Sequence, residues 1–217
     1  MKVRFVLVCE GSSDSGLVRH LERMCVKCGA SEATGLAPDM RRLRRPPKGL
    51  ANKLSTALLL EPSANLVFAH RDADATDEAP RVDEIKTAAE GPAVHTVPVV
   101  PVRETEAWLL LDEGAIRHVV ENPSSSVELT LPRPQDAENV SDPKRRLREI
   151  LMLASGLRGR KLKTLKKDFS RHRSRLLERL DCDGLLGQVP AWQRLERRTR
   201  EALQMLQAGP ARGQPEG

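Results

Sequence analysis

The chain has 217 residues, a net charge of +6 and a hydrophobic content of 39%, with no tyrosine among its few aromatic residues. This length allows one sizeable domain and an extension. No run of about 18 apolar residues occurs, which argues against a membrane span, and the apolar N-terminal run is too short for a signal peptide. We therefore expect a cytoplasmic protein, and the scarcity of aromatic residues argues against one that stacks single-stranded bases.

Apolar runs alternate with amphipathic segments over the first 112 residues. Strands are predicted over residues 2–9, 65–69 and 94–102, with 39–45 as a candidate edge strand. Helices are predicted over residues 12–28, 49–60 and 77–90, and a further helix begins near residue 103. This alternation predicts an α/β fold with a mostly parallel sheet flanked by helices. Two prolines, Pro98 and Pro101, favour an edge position or irregular pairing for the last of these strands.

The pattern changes after Gly114. Residues 122–139 hold three prolines among polar residues and are predicted to form a long loop. Further helices are predicted over residues 142–154, 162–180 and 192–206. The predicted organisation is an α/β domain over residues 1–112, a helical basic extension over 113–207 and a disordered tail over 208–217.

Charge is distributed unevenly along the chain. Residues 141–217 contain 19 Lys and Arg against 9 Asp and Glu, whereas the first 140 residues contain 17 and 21. An acidic first part and a basic last third indicate a polyanionic partner such as nucleic acid. A solvated helical surface explains the basic charges about as well.

Acidic residues closely follow the predicted strands. Glu10 follows the first strand, Asp72 and Asp74 follow a later one, and Glu104 and Glu106 follow the last. The carboxyl ends of parallel strands meet at one edge of a sheet, where ligands usually bind. Carboxylates this close repel each other unless a cation lies between them, and oxygen ligands favour Mg²⁺ or Mn²⁺ over Zn²⁺. Either motif alone is more often a turn or a helix cap, but their shared position favours a metal site.

Two of these motifs resemble those of a known family. Glu10-Gly11-x-x-Asp14 and Asp72-x-Asp74 resemble the two acidic motifs of TOPRIM domains. The resemblance implies a Rossmann-like TOPRIM sheet, with Glu10 as general acid/base or metal ligand and with Asp72 and Asp74 as ligands of Mg²⁺. The candidate catalytic residues are therefore Glu10, Asp72 and Asp74, and the further candidate metal ligands are Asp14, Glu104 and Glu106.

The resemblance continues beyond the sheet. Residues 103–110 and Asp142-Pro143-Lys144 are similar to motifs of a small TOPRIM-like family, whose stand-alone members are thought to pair with ATPases in bacterial phage-defence loci. A TOPRIM topoisomerase needs a nucleophilic tyrosine, which this chain lacks, and a primase needs additional template-binding parts. Hydrolysis remains. We expect a Mg²⁺-dependent nuclease acting on DNA or RNA, as the effector of an anti-phage system, with a separate ATPase as its partner.

The candidate phosphate-binding cations form two groups, one before Pro46 and one in the helical extension. They are Arg41, Arg42, Arg44, Arg45, Lys144, Arg145, Arg160, Lys161, Lys163, Lys166 and Lys167. The first group equally suits a sheet edge that is protected against aggregation. Two other function classes stay open. One is a non-catalytic TOPRIM-like subunit that binds an ATPase or nucleic acid, and the other is a receiver-like phosphoacceptor, which would need a lysine where Arg103 stands.

Overall fold

A four-stranded parallel sheet lies at the core of the protein, in a computed structural model that describes residues 1–91 and 94–208. The strands are β1 (Lys2–Val8), β2 (Glu32–Leu36), β3 (Leu66–His70) and β4 (His95–Val99), in the order β2-β1-β3-β4. The predicted α/β fold is confirmed: all strand pairs are parallel, helices flank the sheet, and the arrangement is Rossmann-like. The predicted edge position of β4 is also confirmed.

The two central strands, β1 and β3, carry buried side chains on both faces, which explains their continuous apolar sequences. Phe5 and Phe68 lie on one face, where their rings meet edge to face with centroids 5.0 Å apart. Val6 and Val67 belong to a second hydrophobic cluster on the opposite face. Successive side chains of each strand therefore point to opposite faces of the sheet and pack in two separate layers of the core.

The three helices that connect the strands flank the sheet. They are α1 (Val18–Lys27), which follows a 3₁₀ turn at Ser12–Leu17, α2 (Leu50–Leu60) and α3 (Ala79–Ala88). Leu21 of α1 packs in the cluster that contains Phe5. Leu54 of α2 and Ile85 of α3 pack in the cluster on the other face. The helices thus cover both faces of the sheet, as parallel strands require.

The C-terminal part of the chain is helical and shares the core of the sheet. Its helices are α4 (Glu106–Leu109), α5 (Glu113–Val119), α6 (Pro143–Ser155), α7 (Gly159–Lys167), α8 (Phe169–Leu177) and α9 (Pro190–Ala208). Trp108 of α4 and Trp192 of α9 pack edge to face, 5.1 Å between centroids. One cluster of buried residues runs from Val3 to Leu203. Buried packing therefore continues across the predicted boundary at residue 112.

The predicted edge strand over residues 39–45 is wrong. The edge strand is β2 at Glu32–Leu36, and Met40–Arg42 forms a 3₁₀ turn. The Asp39 side chain accepts a hydrogen bond from the Arg41 backbone N–H, a local bond that favours a turn over a strand. No residue of β2 is fully buried, so apolar periodicity offered no signal for it.

The single helix predicted over residues 162–180 is also wrong, because two helices, α7 and α8, meet at Asp168. Asp168 has φ −86° and ψ 12°, outside the helical region, and its side chain accepts a hydrogen bond from Arg171. The break lets α8 pack independently of α7: His172 bonds to the Val119 carbonyl at the end of α5. Tertiary packing overrides helical periodicity here.

Two other predictions concern irregular segments. The long loop over residues 122–139 contains a 3₁₀ turn at Pro134–Asn139. The predicted disordered tail lies outside the described residues, apart from Ala208 at the end of α9. Among residues 1–91 and 94–208, no helix is both long and apolar enough to cross a bilayer.

Candidate active site

The segments that follow β3 and β4 run side by side beyond the carboxyl edge of the sheet. The Arg71 N–H donates to the Val99 carbonyl (3.1 Å), and the Ala73 N–H donates to the Pro101 carbonyl (3.0 Å). This pairing sets Asp72 against Thr105, just before α4. Because β1 lies beside β3, the segment that starts at Glu10 emerges at the same edge.

Asp72 is held by a short hydrogen-bonded chain. Its Oδ1 accepts from the Thr105 backbone N–H (2.9 Å) and from the Thr105 hydroxyl (3.2 Å). The same hydroxyl lies 2.9 Å from Nε2 of His70. A hydroxyl that donates to Asp72 must accept from this nitrogen, so Nε2 carries the proton. Thr105 thereby fixes the orientation of Asp72, and His70 fixes Thr105.

His70 is the last residue of β3 and is fully buried. Burial lowers the pKa of His70, so its imidazole is neutral at pH 7. With the proton on Nε2, Nδ1 is an acceptor, and it has no hydrogen-bond partner among the described residues. Buried polar atoms of this kind are rare, and they concentrate at sites that bind water, ions or ligands.

The charge of Asp72 is poorly compensated. Its side chain is 24% exposed. Burial raises the pKa of Asp72 to about 7, and the negative charges of Asp14 and Glu106 add to this rise against the two hydrogen bonds from Thr105. In the described part of the chain, neither Lys nor Arg forms an ion pair with this carboxylate. The sequence predicted that Asp74 would repel the charge of Asp72. In the structure the carboxylates that repel Asp72 are instead Asp14 and Glu106.

Asp14 and Glu106, both predicted metal ligands, instead share one guanidinium. Arg173 of α8 donates from Nη2 to Asp14 Oδ1 (2.6 Å) and from Nε to Glu106 Oε1 (2.9 Å). Its Nη1 donates to the Ser13 carbonyl (2.8 Å). Burial opposes ionisation of Asp14, but the charge of His70 when its imidazole is protonated, followed by the charge and hydrogen bonds of Arg173, holds the pKa of Asp14 below its ordinary value. All three side chains are buried, so this cluster belongs to the protein interior.

Sequence reasoning missed Arg173, although one signal was present. The buried face of α8 consists of Phe169, His172, Arg173, Leu176 and Leu177. A charged residue that shares a face with apolar residues at helical spacing needs a buried partner of opposite charge. The partner could not be identified from sequence, because Asp14 lies 159 residues away.

Glu10 and Asp74 lie further out and are each paired with an arginine. Glu10 Oε1 is 2.9 Å from Nε of Arg71, and Asp74 Oδ2 accepts from Nη2 of Arg81 at 2.9 Å. The two carboxylate side chains are 51% and 65% exposed. Arg71, the cation expected beside the site, is shared between Glu10 and Glu84, which lies 3.2 Å from its Nη1. Ion pairs this exposed are easily exchanged for another cation.

The backbone around Asp74 adopts an uncommon conformation. Asp74 has φ 57° and Arg103 has φ 63°, both in the left-handed region. The two residues face each other, since the Asp74 N–H donates to the Arg103 carbonyl at 2.9 Å. Non-glycine residues in this region are enriched at functional sites. Here they turn both segments at the edge of the sheet and direct the chain towards Thr105.

The last candidate ligand, Glu104, contacts the start of α6. Its Oε2 accepts from the Lys144 backbone N–H at 3.2 Å, and the Lys144 ammonium lies 4.0 Å from Glu106. Burial and then the charge of Glu106 raise the pKa of Glu104. Lys144, predicted as a phosphate contact, thus belongs to the acidic edge, where it adds a positive charge.

The carboxylates are spread over the edge. Among the described residues, no three His, Cys, Asp or Glu side chains are grouped closely enough to hold a metal ion. Comparison with known protein families, with curated proteins and with solved structures finds no match to this chain. The site is therefore characterised by its own geometry, and the TOPRIM assignment stays a prediction.

The other predicted cations differ in their pairing. Arg41 and Arg42 pair with Asp39, and Arg145 pairs with Asp142 and Glu149. Arg44 and Arg45 are exposed. The cations of α7 are all exposed, and none pairs with a carboxylate of the described chain: Arg160, Lys161, Lys163, Lys166 and Lys167. Five uncompensated charges on a nine-residue helix make α7 the strongest candidate surface for a polyanion.

Proposed function

We propose that the protein is a metal-dependent nuclease that hydrolyses phosphodiester bonds in DNA or RNA, with Asp72 at its active centre. The observation that carries the proposal is the setting of Asp72. It lies at the carboxyl edge of a parallel sheet, close to two other carboxylates, with a pKa raised to about 7 and no Lys or Arg partner in the described chain. A bound cation would remove the energetic cost of its charge.

The donor set fits Mg²⁺ or Mn²⁺ in chemistry, since all candidate ligands are carboxylates. Asp72 is the anchoring ligand because its charge is the least compensated. Glu10 and Asp74 would have to move towards Asp72 to complete the set, and their ion pairs with Arg71 and Arg81 would oppose this little, since exposed ion pairs contribute only about 0–1 kcal/mol. A divalent cation there would stabilise charge on the phosphoryl group and activate water.

The protein's own residues supply position and charge. Thr105 and His70 hold Asp72 in one orientation, which matters because displaced catalytic groups lose rate steeply. Arg173 pairs with Asp14 and Glu106 inside the protein, so these two carboxylates tie α8 to the edge of the sheet without facing the substrate. The cations of α7 would hold backbone phosphates in a salt-dependent manner.

A wider role rests on the sequence resemblance alone. The motifs similar to TOPRIM-like proteins support a cytoplasmic effector that acts with a separate ATPase in anti-phage defence. The chemistry at Asp72 does not depend on that role, and it can be tested with the purified chain.

The decisive experiment measures nicking of supercoiled plasmid and cleavage of tRNA, with Mg²⁺ or Mn²⁺, for the wild type and for Asp72→Asn. We expect the variant to lose activity by about a hundredfold or more. Asp83→Asn is the matched control, because Asp83 is an exposed carboxylate on α3. Equal activity in the wild type and Asp72→Asn would contradict the proposal.

Metal binding has a readout that does not depend on activity. Mg²⁺ in the millimolar range should raise the melting temperature of the wild type and of Asp83→Asn at pH 8, because a ligand that binds only the folded state stabilises it. The same titration should leave Asp72→Asn unchanged. A shift of equal size in all three proteins would place the ion elsewhere.

The pairing of Glu10, Asp74, Asp14 and Glu106 with arginines of the same chain favours a second candidate. In that case the acidic edge is structural, and the chain is a non-catalytic subunit that binds an ATPase or nucleic acid. The same experiments separate the two functions. Salt-sensitive binding of tRNA or DNA that persists in EDTA and in Asp72→Asn, without cleavage by the wild type, identifies the subunit.

A further inference from the structure

A small cavity opens beside the acidic edge, beyond the carboxyl ends of β1 and β2. It has a volume of about 230 Å³. Its floor is apolar, formed by residues such as Leu7 and Met40, and its mouth carries Ser12, Arg41 and Lys53. Glu10 also lines the cavity, so the cavity and the proposed active centre share a wall.

Lys53 of α2 is anchored at this wall by the backbone. Its ammonium donates to the Glu10 carbonyl (2.9 Å) and to the Cys9 carbonyl (3.3 Å). An ammonium has three N–H donors, so one remains for a ligand. Neither bond neutralises the charge, because both acceptors are carbonyls.

Arg41 presents a second cation across the mouth. Its Nη2 donates to the Ser12 hydroxyl at 2.6 Å, and its Nε donates to Asp39 at 3.0 Å. Both N–H groups of Nη1 stay without a partner in the described chain. Together with the Ser12 hydroxyl, they are the donors that recognise a tetrahedral oxyanion.

The charge balance of the cavity favours an anion. Glu10 is paired outside the lining, with Arg71 at 2.9 Å. Asp39 is shared by two arginines, Arg41 at 3.0 Å and Arg42 at 3.2 Å, so this group keeps one positive charge. Lys53, which is bonded to carbonyls, adds a second positive charge. The volume lies below the range of about 300–1,000 Å³ that holds drug-sized ligands, so it suits a phosphate group and part of its sugar.

We propose that this cavity is a subsite for a phosphate group of the nucleic-acid strand, adjacent to the phosphodiester that the acidic centre cuts. Lys53 and Arg41 bind the phosphate oxygens, and the Ser12 hydroxyl assists. The inference rests on the proposed nuclease function for the identity of the strand. Phosphate binding itself follows from the cavity and can be measured separately.

The test uses isothermal titration calorimetry with inorganic phosphate at constant ionic strength. The proteins are the wild type, Lys53→Met, Arg41→Gln, Asp72→Asn and two controls, Lys48→Met and Arg19→Gln, whose side chains are exposed outside the cavity. We expect both cavity variants to bind phosphate roughly tenfold more weakly. The controls and Asp72→Asn should bind like the wild type.

Circular dichroism confirms that each variant is folded. Arg41 is an exposed side chain, so Arg41→Gln remains informative if Lys53→Met is unstable. Two results would overturn the subsite. One is equal phosphate affinity in all the proteins. The other is no binding to the wild type at phosphate concentrations up to about 10 mM, on the order of the weakest affinities that calorimetry resolves.

Short oligonucleotides with and without a 5′-phosphate then identify the source of the phosphate. If both oligonucleotides displace inorganic phosphate, the cavity binds an internal backbone phosphate. If only the 5′-phosphorylated oligonucleotide displaces it, the cavity binds the end of a strand. If neither strand displaces inorganic phosphate, a nucleic-acid subsite is ruled out.

Cleavage assays separate the subsite from the proposed nuclease function. Full cleavage activity in Lys53→Met and Arg41→Gln would overturn the subsite and leave the nuclease function intact. Phosphate binding without any cleavage would retain the subsite and reject the nuclease.

Discussion

The raised pKa of Asp72 has a direct consequence for stability. The pKa is about 7 in the folded protein, against about 3.9 in an unfolded chain. Between these values only the folded state binds the proton, so the free energy of unfolding falls as the pH rises from about 4 to about 7. Asp72→Asn removes the charge and keeps the acceptor for Thr105. We expect this variant to exceed the wild type by about 1–3 kcal/mol at pH 8 and to match it near pH 4.

Urea unfolding in EDTA at pH 4, 6 and 8 measures this difference. Asp83→Asn serves as the control, since its exposed carboxylate should give the same small effect at every pH. A gap between Asp72→Asn and wild type that does not grow with pH would show that Asp72 is not destabilised by its charge. A stabilised variant that is also inactive would identify a residue kept for function at a cost in stability.

Arg173 is the residue on which the buried acidic cluster depends. Arg173→Met would leave Asp14 and Glu106 buried without their cation. We expect a loss of about 3–5 kcal/mol at pH 8, and a smaller loss at pH 5, because protonation relieves the uncompensated charges. Arg173→Lys should restore little of the lost stability, since one ammonium cannot reproduce the planar guanidinium that donates to both Asp14 and Glu106.

Thermal and urea unfolding at the two pH values measure the loss. Arg171→Met is the matched control, because Arg171 is 65% exposed on the same helix and, among the described residues, pairs with Asp168 alone. Equal stability of Arg173→Met and Arg171→Met would contradict a structural role for the cluster.

At the scale of elements, the sequence predicted the strands and helices that the local pattern of apolar residues determines. β1 and β3 were predictable because strands buried on both faces are rich in apolar residues, and the strand ends located the candidate carboxylates at one edge of the sheet. β2 was not, since its side chains are all at least partly exposed. The break at Asp168 and the partner of Arg173 were also out of reach, because both depend on contacts between distant parts of the chain.

The placement of β2 can be tested through one glycine. Gly35 pairs with Phe5 of β1, and a Cβ atom on Gly35 would lie 2.1 Å from the Phe5 ring. Gly35→Ala must displace that ring, so we expect a loss of about 1–3 kcal/mol. Gly91→Ala is the control, because no atom of the described residues, apart from its chain neighbours, lies within 4 Å of its added Cβ. Chemical denaturation measures the free energy of unfolding of both variants. Equal stability would show that Phe5 does not cover β2.

At the scale of the whole molecule, the shared core determines how the protein unfolds. Trp108 lies in the predicted α/β part and Trp192 in the helical extension, yet they pack against each other inside one cluster. A core that crosses the boundary couples the two parts, so they should unfold in one cooperative transition. Residues 1–112 alone should fail to fold, since the faces covered by α8 and α9 would be exposed.

Single-tryptophan variants test this coupling. In Trp192→Phe, fluorescence reports Trp108 in the α/β part, and in Trp108→Phe it reports Trp192 in the extension. Each substitution lowers stability, so each fluorescence midpoint is compared with the far-UV circular dichroism midpoint of the same variant. We expect the two midpoints to coincide in both proteins. Separate midpoints, or a cooperative transition in residues 1–112 alone, would establish two independent domains. Arg173 would then hold Asp14 and Glu106 from a unit that can detach, and loss of the extension would alter the charge around Asp72 without unfolding the sheet.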